Sequence, residues 1–259
     1  MSQPTLKEIL AVATEAAYLG GRRTLAYFGT QLAVETKHDD SPVTQADKEA
    51  EAVIRGVISK YYPRHSIVGE EGGTSEGDPD YRWIVDPIDG TKTFIHGVPF
   101  YGVLIGVEVR GSTDVGVVYL PAFDELVVAA RGLGCLWNGR PAKVSGVSEL
   151  KHATLLTTNI STAVARSDAY EKLAAQAKMN RTWGDCYGYV LVATGRAEIM
   201  MDPEMKPWDS APLLPILQEA GGHFTTWDGR ATIWGPDGVA TNAALHQQVA
   251  AVLKAEKRK

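Results

Sequence analysis

Two cysteines, Cys135 and Cys186, are all that 259 residues offer. They cannot build a disulfide framework, and no Cys-x-x-Cys pair suggests a zinc or redox site, so a reducing cytoplasm is the expected home. The six histidines show no His-x-x-x-His spacing, which removes a common helical metal pair and leaves surface or capping roles. No apolar run reaches 18 residues, so no membrane span is expected. The opening MSQPTLKEIL lacks the basic patch and long apolar core of a signal peptide. Nor is there an excess of basic charge: 26 lysines and arginines face 31 acids, a net of −5. That argues against nucleic acid as a partner, because a phosphate backbone needs a basic surface. Internal repeats and low-complexity tracts are also missing, which excludes a solenoid.

What is present is an ordinary globular composition, 44% apolar and 22% charged, in a chain long enough to bury a full core. Apolar residues recur at three and four from Leu6 onward, predicting a first helix over 6–28 that Gly20 and Gly21 interrupt. A short strand is expected at 32–34 and a polar loop at 37–42. Thr44 is placed to cap a second helix over 45–61, with Asp47 and Glu49 in its first turn. Short alternating segments follow at 66–68, 82–85, 101–109, 114–119 and 125–130, separated by Gly, Pro and Asp turns. Beyond Gly139 strands (155–158, 182–183, 198–201, 224–227, 239–241) alternate with helices (166–178, 187–194, 210–220, 243–254). An α+β front half joined to an α/β back half predicts layered helices and sheets, organised as one catalytic unit with lobes 1–140 and 141–259.

The acids are the informative feature. In Arg82-Trp83-Ile84-Val85-Asp86-Pro87-Ile88-Asp89-Gly90-Thr91 an apolar strand is expected to end at Asp86, turn at Pro87, and present Asp89 three residues later. Two carboxylates and the Ile88 carbonyl are hard oxygen donors of the kind Mg²⁺ takes. Gly90 and Thr91 open a short helix whose free N–H groups form a phosphate site. Alone, Asp-Pro-x-Asp-Gly is also ordinary turn chemistry. Gly69-Glu70-Glu71-Gly72-Gly73 after a strand, Trp208-Asp209 at a helix start and Thr44-Gln45-Ala46-Asp47 add three further acid clusters, each at an element end. Each has a bland reading as loop or helix cap; together they point to one site.

Gly69-Glu70-Glu71, the 83–91 segment, Trp208-Asp209 and Ala220-Gly221-Gly222 resemble, in order, the signatures of the inositol monophosphatase family of Mg²⁺-dependent phosphatases. Weaker echoes at 43–47, 138–140, 144–145 and 191–195 extend the resemblance across nearly the whole chain. It implies an αβαβα sandwich, two or three Mg²⁺ ions per active site, a small phosphate monoester as substrate, and a homodimer. It further implies that Glu70, Asp86, Asp89, Asp209 and the Ile88 carbonyl bind metal. Glu70 and Thr91 would position the attacking water, with Asp47 supporting Thr91, and the Gly90 and Thr91 N–H groups would hold the phosphate.

Within the family, Asp89-Gly90-Thr91-Lys92-Thr93-Phe94-Ile95, residues 98–105 and residues 181–189 are most similar to histidinol-phosphate phosphatases of this type. Inositol-specific relatives usually carry Thr and Asn where Lys92 and Thr93 stand here. Histidinol phosphate bears an ammonium and an imidazole, which call for carboxylates and an aromatic face. Asp185, flanked by Trp183 and Tyr187, supplies both unless it only caps a helix starting at Tyr187. Asp202 stands where relatives place an acid near the leaving group. Lys37, beside Asp39 and Asp40, is an isolated base that could reach phosphate. An inositol monophosphatase, a broad-specificity polyol phosphatase and a silent interaction protein that kept the fold remain the alternatives.

Overall fold

In the computed structural model, which describes residues 3–31, 33–36 and 42–256, the chain opens with α1 (Leu6–Thr24), β1 (Val34–Thr36), β2 (Pro42–Thr44) and α2 (Gln45–Tyr61). There follow β3 (His65–Gly69), β4 (Gly73–Ser75), β5 (Asp78–Asp89), α3 (Thr91–Ile95), β6 (Gly102–Val109) and β7 (Ser112–Leu120). Next come β8 (Glu125–Ala130), β9 (Gly134–Trp137), β10 (Arg140–Pro141), β11 (Thr154–Leu156), α4 (Ile160–Arg166) and α5 (Ala169–Ala174). The chain finishes with β12 (Met179–Arg181), α6 (Asp185–Ala193), β13 (Ile199–Asp202), α7 (Pro207–Glu219), β14 (His223–Thr225), β15 (Gly238–Thr241) and α8 (His246–Glu256). The expectation for Lys37, Asp39 and Asp40 falls outside the described residues. No described helix is long and apolar enough to cross a membrane.

Local signals set the first two helices. Thr5 and Glu8 close a capping box on α1, and Thr44 and Asp47 close one on α2, each satisfying N–H groups the helix cannot. Gly20 and Gly21 do not interrupt α1. They are where it packs, because a Cβ on Gly20 would stand 2.6 Å from Ile54 and one on Gly21 would meet the Tyr119 ring.

An eight-stranded sheet runs β10-β9-β8-β7-β6-β5-β3-β4, and a five-stranded sheet runs β12-β11-β13-β15-β14. In the first only β3 and β5 pair in parallel; in the second β11 is parallel to both β12 and β13. Period-two alternation assigns the faces. Trp83, Val85, Val103, Ile105, Val115 and Val117 pack beneath Ile9, Ala13, Ala16, Ile54 and Ile58 of α1 and α2. Their neighbours Ile84, Leu104 and Val118 face the opposite way, onto Val190, Ala211, Ile216 and Leu217 of α6 and α7, and across them to Leu156, Met200, Phe224 and Ala240. Leu155, Ile199, Met201 and Val239 line the far side of the second sheet against Ala163, Leu173, Val249 and Leu253 of α4, α5 and α8. The result is the αβαβα layering that the family resemblance implies, in keeping with the layered helices and sheets expected from the sequence pattern.

Three elements differ from the sequence reading. The strand carrying Asp86 does not end there: β5 continues through Pro87 to Asp89, with a register shift between Asp86 and Asp89 where it pairs with β6. The helix expected over 166–178 is the shorter α5, and a helix that was not expected, α4, precedes it, the two separated at Ser167, whose backbone is extended. The strand expected at 182–183 lies instead at Met179–Arg181, where β11 can pair with it.

The layers meet closely at one point. Gly106 of β6 and Gly116 of β7 are directly paired, and a Cβ on either would collide with Ala211 or with the Pro212 carbonyl of α7. Gly116→Ala therefore pushes against backbone that cannot swing away. It should destabilise the protein by about 1–3 kcal/mol, read as a lower urea midpoint at unchanged slope; an unchanged midpoint would show that α7 is free to shift.

On the other face, His65 is stacked between Tyr62 and Tyr81, at ring distances of 4.5 and 4.3 Å, and its Nδ1 accepts the Trp83 indole N–H at 3.1 Å. Burial holds its pKa below the ordinary histidine value. The unfolded chain thus takes up this proton first as pH falls, so the stacking contribution is present above about pH 6.5 and fades below it. The stability difference between wild type and His65→Phe should shrink between pH 7 and pH 5 in urea titrations; a constant difference would count against this.

Candidate active site

Asp86 and Asp89 stand near and at the end of β5 and Asp209 in the first turn of α7, and each of the three is held by a backbone N–H. Asp86 Oδ1 accepts from Ile88 N–H at 2.9 Å, which explains how the strand passes Pro87 without losing direction. Asp89 Oδ2 accepts from Cys186 N–H at the start of α6. Asp209, in the first turn of α7, accepts from Lys206 N–H at 2.7 Å. Gly90 then makes the turn into α3 in the left-handed region, at φ 80°, a conformation that favours glycine.

These tethers bring Asp86, Asp89 and Asp209 together so that one carboxylate oxygen of each lies within 4.8 Å of the others. Asp86 also lies within hydrogen-bond reach of Glu70. Asp47, buried under the α2 cap, accepts the Thr91 hydroxyl at 3.4 Å, and the Ile88 carbonyl accepts it at 3.0 Å. The Ile88 side chain itself is buried with Ala46, Phe94 and Tyr101. Glu70, Gly90, Thr91 and Asp209 line one cleft of about 610 Å³. A second, of about 580 Å³, holds Asp89, Asp185, Asp202 and Asp209, with Val98, Phe100 and Leu213 as apolar wall. The two clefts share Asp185 and Asp209. Lys37 aside, which lies outside the described residues, the site positions singled out in the sequence line one of these two clefts or directly contact a residue that does.

Burial, and then the neighbouring charges, push the carboxyls of Asp86 and Asp89 well above the usual range. Asp209 is raised to about 7 for the same reasons, its Lys206 bond opposing. Desolvation lifts Asp202 to about 6 despite the Thr158 N–H it accepts at 3.0 Å. Burial likewise raises Asp185 and Asp47. The Cys186 thiol is pushed well up by burial and by Asp89, which removes it as a thiolate nucleophile.

Crowded acids of this kind are a strained arrangement until a cation shares them. The donors are hard oxygens and they converge, so the residues present fit a Mg²⁺-like ion.

Asp185 does not cap a helix starting at Tyr187. It is itself the first residue of α6, in the left-handed region at φ 50°, which is unusual for a side chain larger than glycine and concentrates at functional sites. Its N–H donates to Thr158 Oγ1 at 2.8 Å and its carboxylate accepts the Thr93 hydroxyl at 2.9 Å. Thr158 was invisible to sequence reasoning, since nothing local marks a threonine after β11 as a partner of residue 185. Glu51, which binds the loop carrying Glu70, was also missed, although its i+4 spacing from Asp47 was a usable signal.

Neutralising one acid separates repulsion from cation binding. Asp86→Asn keeps the acceptor for Ile88 N–H and should raise the unfolding temperature of the metal-free protein at pH 8. It should also lose most of the Mg²⁺-induced rise, which for a wild type at a hundredfold excess over Kd corresponds to about 2.7 kcal/mol. Thermal scans with and without Mg²⁺ check both; an unaltered Mg²⁺ response in the variant contradicts a shared cation site.

Comparisons with known proteins concern the chain as a whole. A profile of the inositol monophosphatase family matches residues 5–258. A histidinol-phosphatase of Chlorobaculum parvum is 43% identical over 253 residues, covering 96% of this chain and 98% of that one. A fructose-1,6-bisphosphatase/inositol-1-monophosphatase of Aquifex aeolicus is 37% identical, covering 96% of each. Among solved structures, the extragenic suppressor protein suhB of Bartonella henselae superposes with a TM-score of 0.89 at 30% identity, over 95% of this chain and 98% of that one.

Proposed function

The chain belongs to the inositol monophosphatase family, and on that footing we propose that it is a Mg²⁺-dependent phosphomonoesterase releasing phosphate from L-histidinol phosphate. The observation that carries this reading is the converging triad Asp86, Asp89 and Asp209 beside a second cleft lined by Asp89, Asp185, Asp202, Asp209, Val98 and Phe100. The first half suits a phosphate with its cations. The second suits a leaving group that is positively charged and carries a flat ring. The 43% identity to a histidinol-phosphatase supports the same choice.

In this reading Glu70, Asp86, Asp89, Asp209 and the Ile88 carbonyl hold the metal. When bound, Mg²⁺ lowers the pKa of a water and offsets charge on the attacking and leaving oxygens. Thr91 and Glu70 orient the attacking water. Because the Thr91 proton is engaged by Asp47 and the Ile88 carbonyl, its hydroxyl oxygen is left to accept a bond from that water and aim it. The Gly90 and Thr91 N–H groups hold the phosphate. A loose transition state asks mainly for such positioning and charge complementarity, so no protein nucleophile is needed. Asp185 and Asp202 receive the ammonium and imidazole.

A phosphate-release panel tests this: histidinol phosphate, inositol 1-phosphate, fructose 1,6-bisphosphate and adenosine 3′,5′-bisphosphate, each with and without Mg²⁺. Histidinol phosphate should show the highest kcat/KM, with turnover abolished by chelation. Asp185→Asn should lower the ratio of histidinol phosphate to inositol 1-phosphate by about tenfold, the equivalent of one lost charge-assisted bond. An unchanged ratio removes Asp185 from specificity, preference for inositol 1-phosphate moves the protein to the polyol reading, and no release from any ester supports the silent interaction protein.

A further inference from the structure

We propose that Glu51, assisted by Arg55, is a positioning residue that sets the loop bearing Glu70 against Asp86 and thereby tunes cation affinity. The inference rests on the reading that these two acids share a metal. Glu51 stands in the middle of α2, where a helix has no use for a carboxylate, and it is 2% exposed. A buried carboxylate persists only when its oxygens are bonded, and the bonds that Glu51 accepts form one clamp. Its Oε2 accepts Glu71 N–H at 2.8 Å and its Oε1 accepts Gly72 N–H at 2.9 Å. Arg55, one helical turn on, donates to Oε1 at 2.6 Å. The same guanidinium donates to the Gly73 carbonyl and, at 3.0 Å, to Ser75 Oγ. Helix α2 is thus stitched to the whole turn between β3 and β4.

The glycines make the clamp fit. A Cβ on Gly69 or Gly72 would run into the Glu51 carboxylate, so the carboxylate lies directly on the loop backbone. Gly69-Glu70-Glu71-Gly72-Gly73 is rich in the residue that leaves a chain most conformational freedom. Charge-assisted bonds to two consecutive N–H groups remove that freedom, while Glu70 N–H is pinned on the other side to the Val85 carbonyl at 3.1 Å. Asp47 and Glu51 are four residues apart on α2 and so share a face. The first engages Thr91 and the second the Glu70 loop, so a single rigid helix spaces the two groups assigned to the attacking water.

A merely structural Glu51 would lower stability without touching cation binding, and this difference makes the test. Mg²⁺ binding is measured by calorimetric titration and by the Mg²⁺-induced rise in unfolding temperature, alongside the Mg²⁺ half-saturation of phosphate release. The proteins are wild type, Glu51→Ala, Glu51→Gln, Arg55→Met and a remote control, Glu198→Gln, which alters a buried acid bonded to Ser145 and Thr154. Glu51→Ala should weaken Mg²⁺ about 10- to 100-fold, the usual effect of removing a group that orients ligands. Glu51→Gln, which keeps an acceptor oxygen, should fall between, and Glu198→Gln should lose stability at unchanged Mg²⁺ affinity. If Glu51→Ala does not fold, Glu51→Gln and Arg55→Met carry the comparison. Wild-type Mg²⁺ affinity in the folded Glu51 variants overturns the proposal. A wild type that binds no Mg²⁺ overturns the functional reading and this inference with it, and the wild-type titration alone reveals that case.

Discussion

Mutual repulsion among buried carboxylates is the constraint around which this protein is arranged. Two unit charges 4 Å apart in a protein-like medium repel by about 4 kcal/mol at an effective dielectric of 20, and Asp86, Asp89 and Asp209 form three such pairs within 4.8 Å. Set against a whole-domain stability of about 5–15 kcal/mol, full ionisation of all three is costly, so burial and this repulsion raise their carboxyl pKa values, and a backbone N–H ties each acid in place. Ile88, Cys186 and Lys206 supply those donors. Each bond fixes one oxygen of a carboxylate.

Such tethering demands that the carriers themselves do not move. β5 is buried on both faces and paired on both edges, by β3 and β6. Helix α7 brings Asp209 from the far end of the chain and is seated on the glycine pair of β6 and β7. Helix α2, whose capping box is built from Thr44 and Asp47, ties the Thr91 side of the cleft to the Glu70 side. The first sheet, with α7 on one face and α2 on the other, is therefore the rigid body that places these groups.

The neighbouring cleft follows a different logic. Asp185 is kept in a left-handed conformation by the bonds of Thr158 and Thr93, and Phe100, stacked on Tyr187 at 4.8 Å, continues the wall toward solvent. In the proposed reading, charge and ring together would distinguish a nitrogenous leaving group from a polyol, and the carboxylate triad would serve the phosphate, in adjoining clefts that share Asp185 and Asp209.

Much of this could be read along the chain. Caps such as Thr44 and periodicities such as Ile84 against Trp83 and Val85 are local, so the helix starts, the strand faces and the layered class followed from residue order, and so did the acids at the ends of elements. What residue order could not supply was pairing. The extension of β5 past Pro87 depends on β6, the strand at Met179–Arg181 on β11, and the clamp of Glu51 on a loop some twenty residues away. Convergence of positions 70, 86, 89 and 209 is likewise a property of packed layers, because no local propensity acts between residues so far apart; only burial of the apolar faces brings them to one centre.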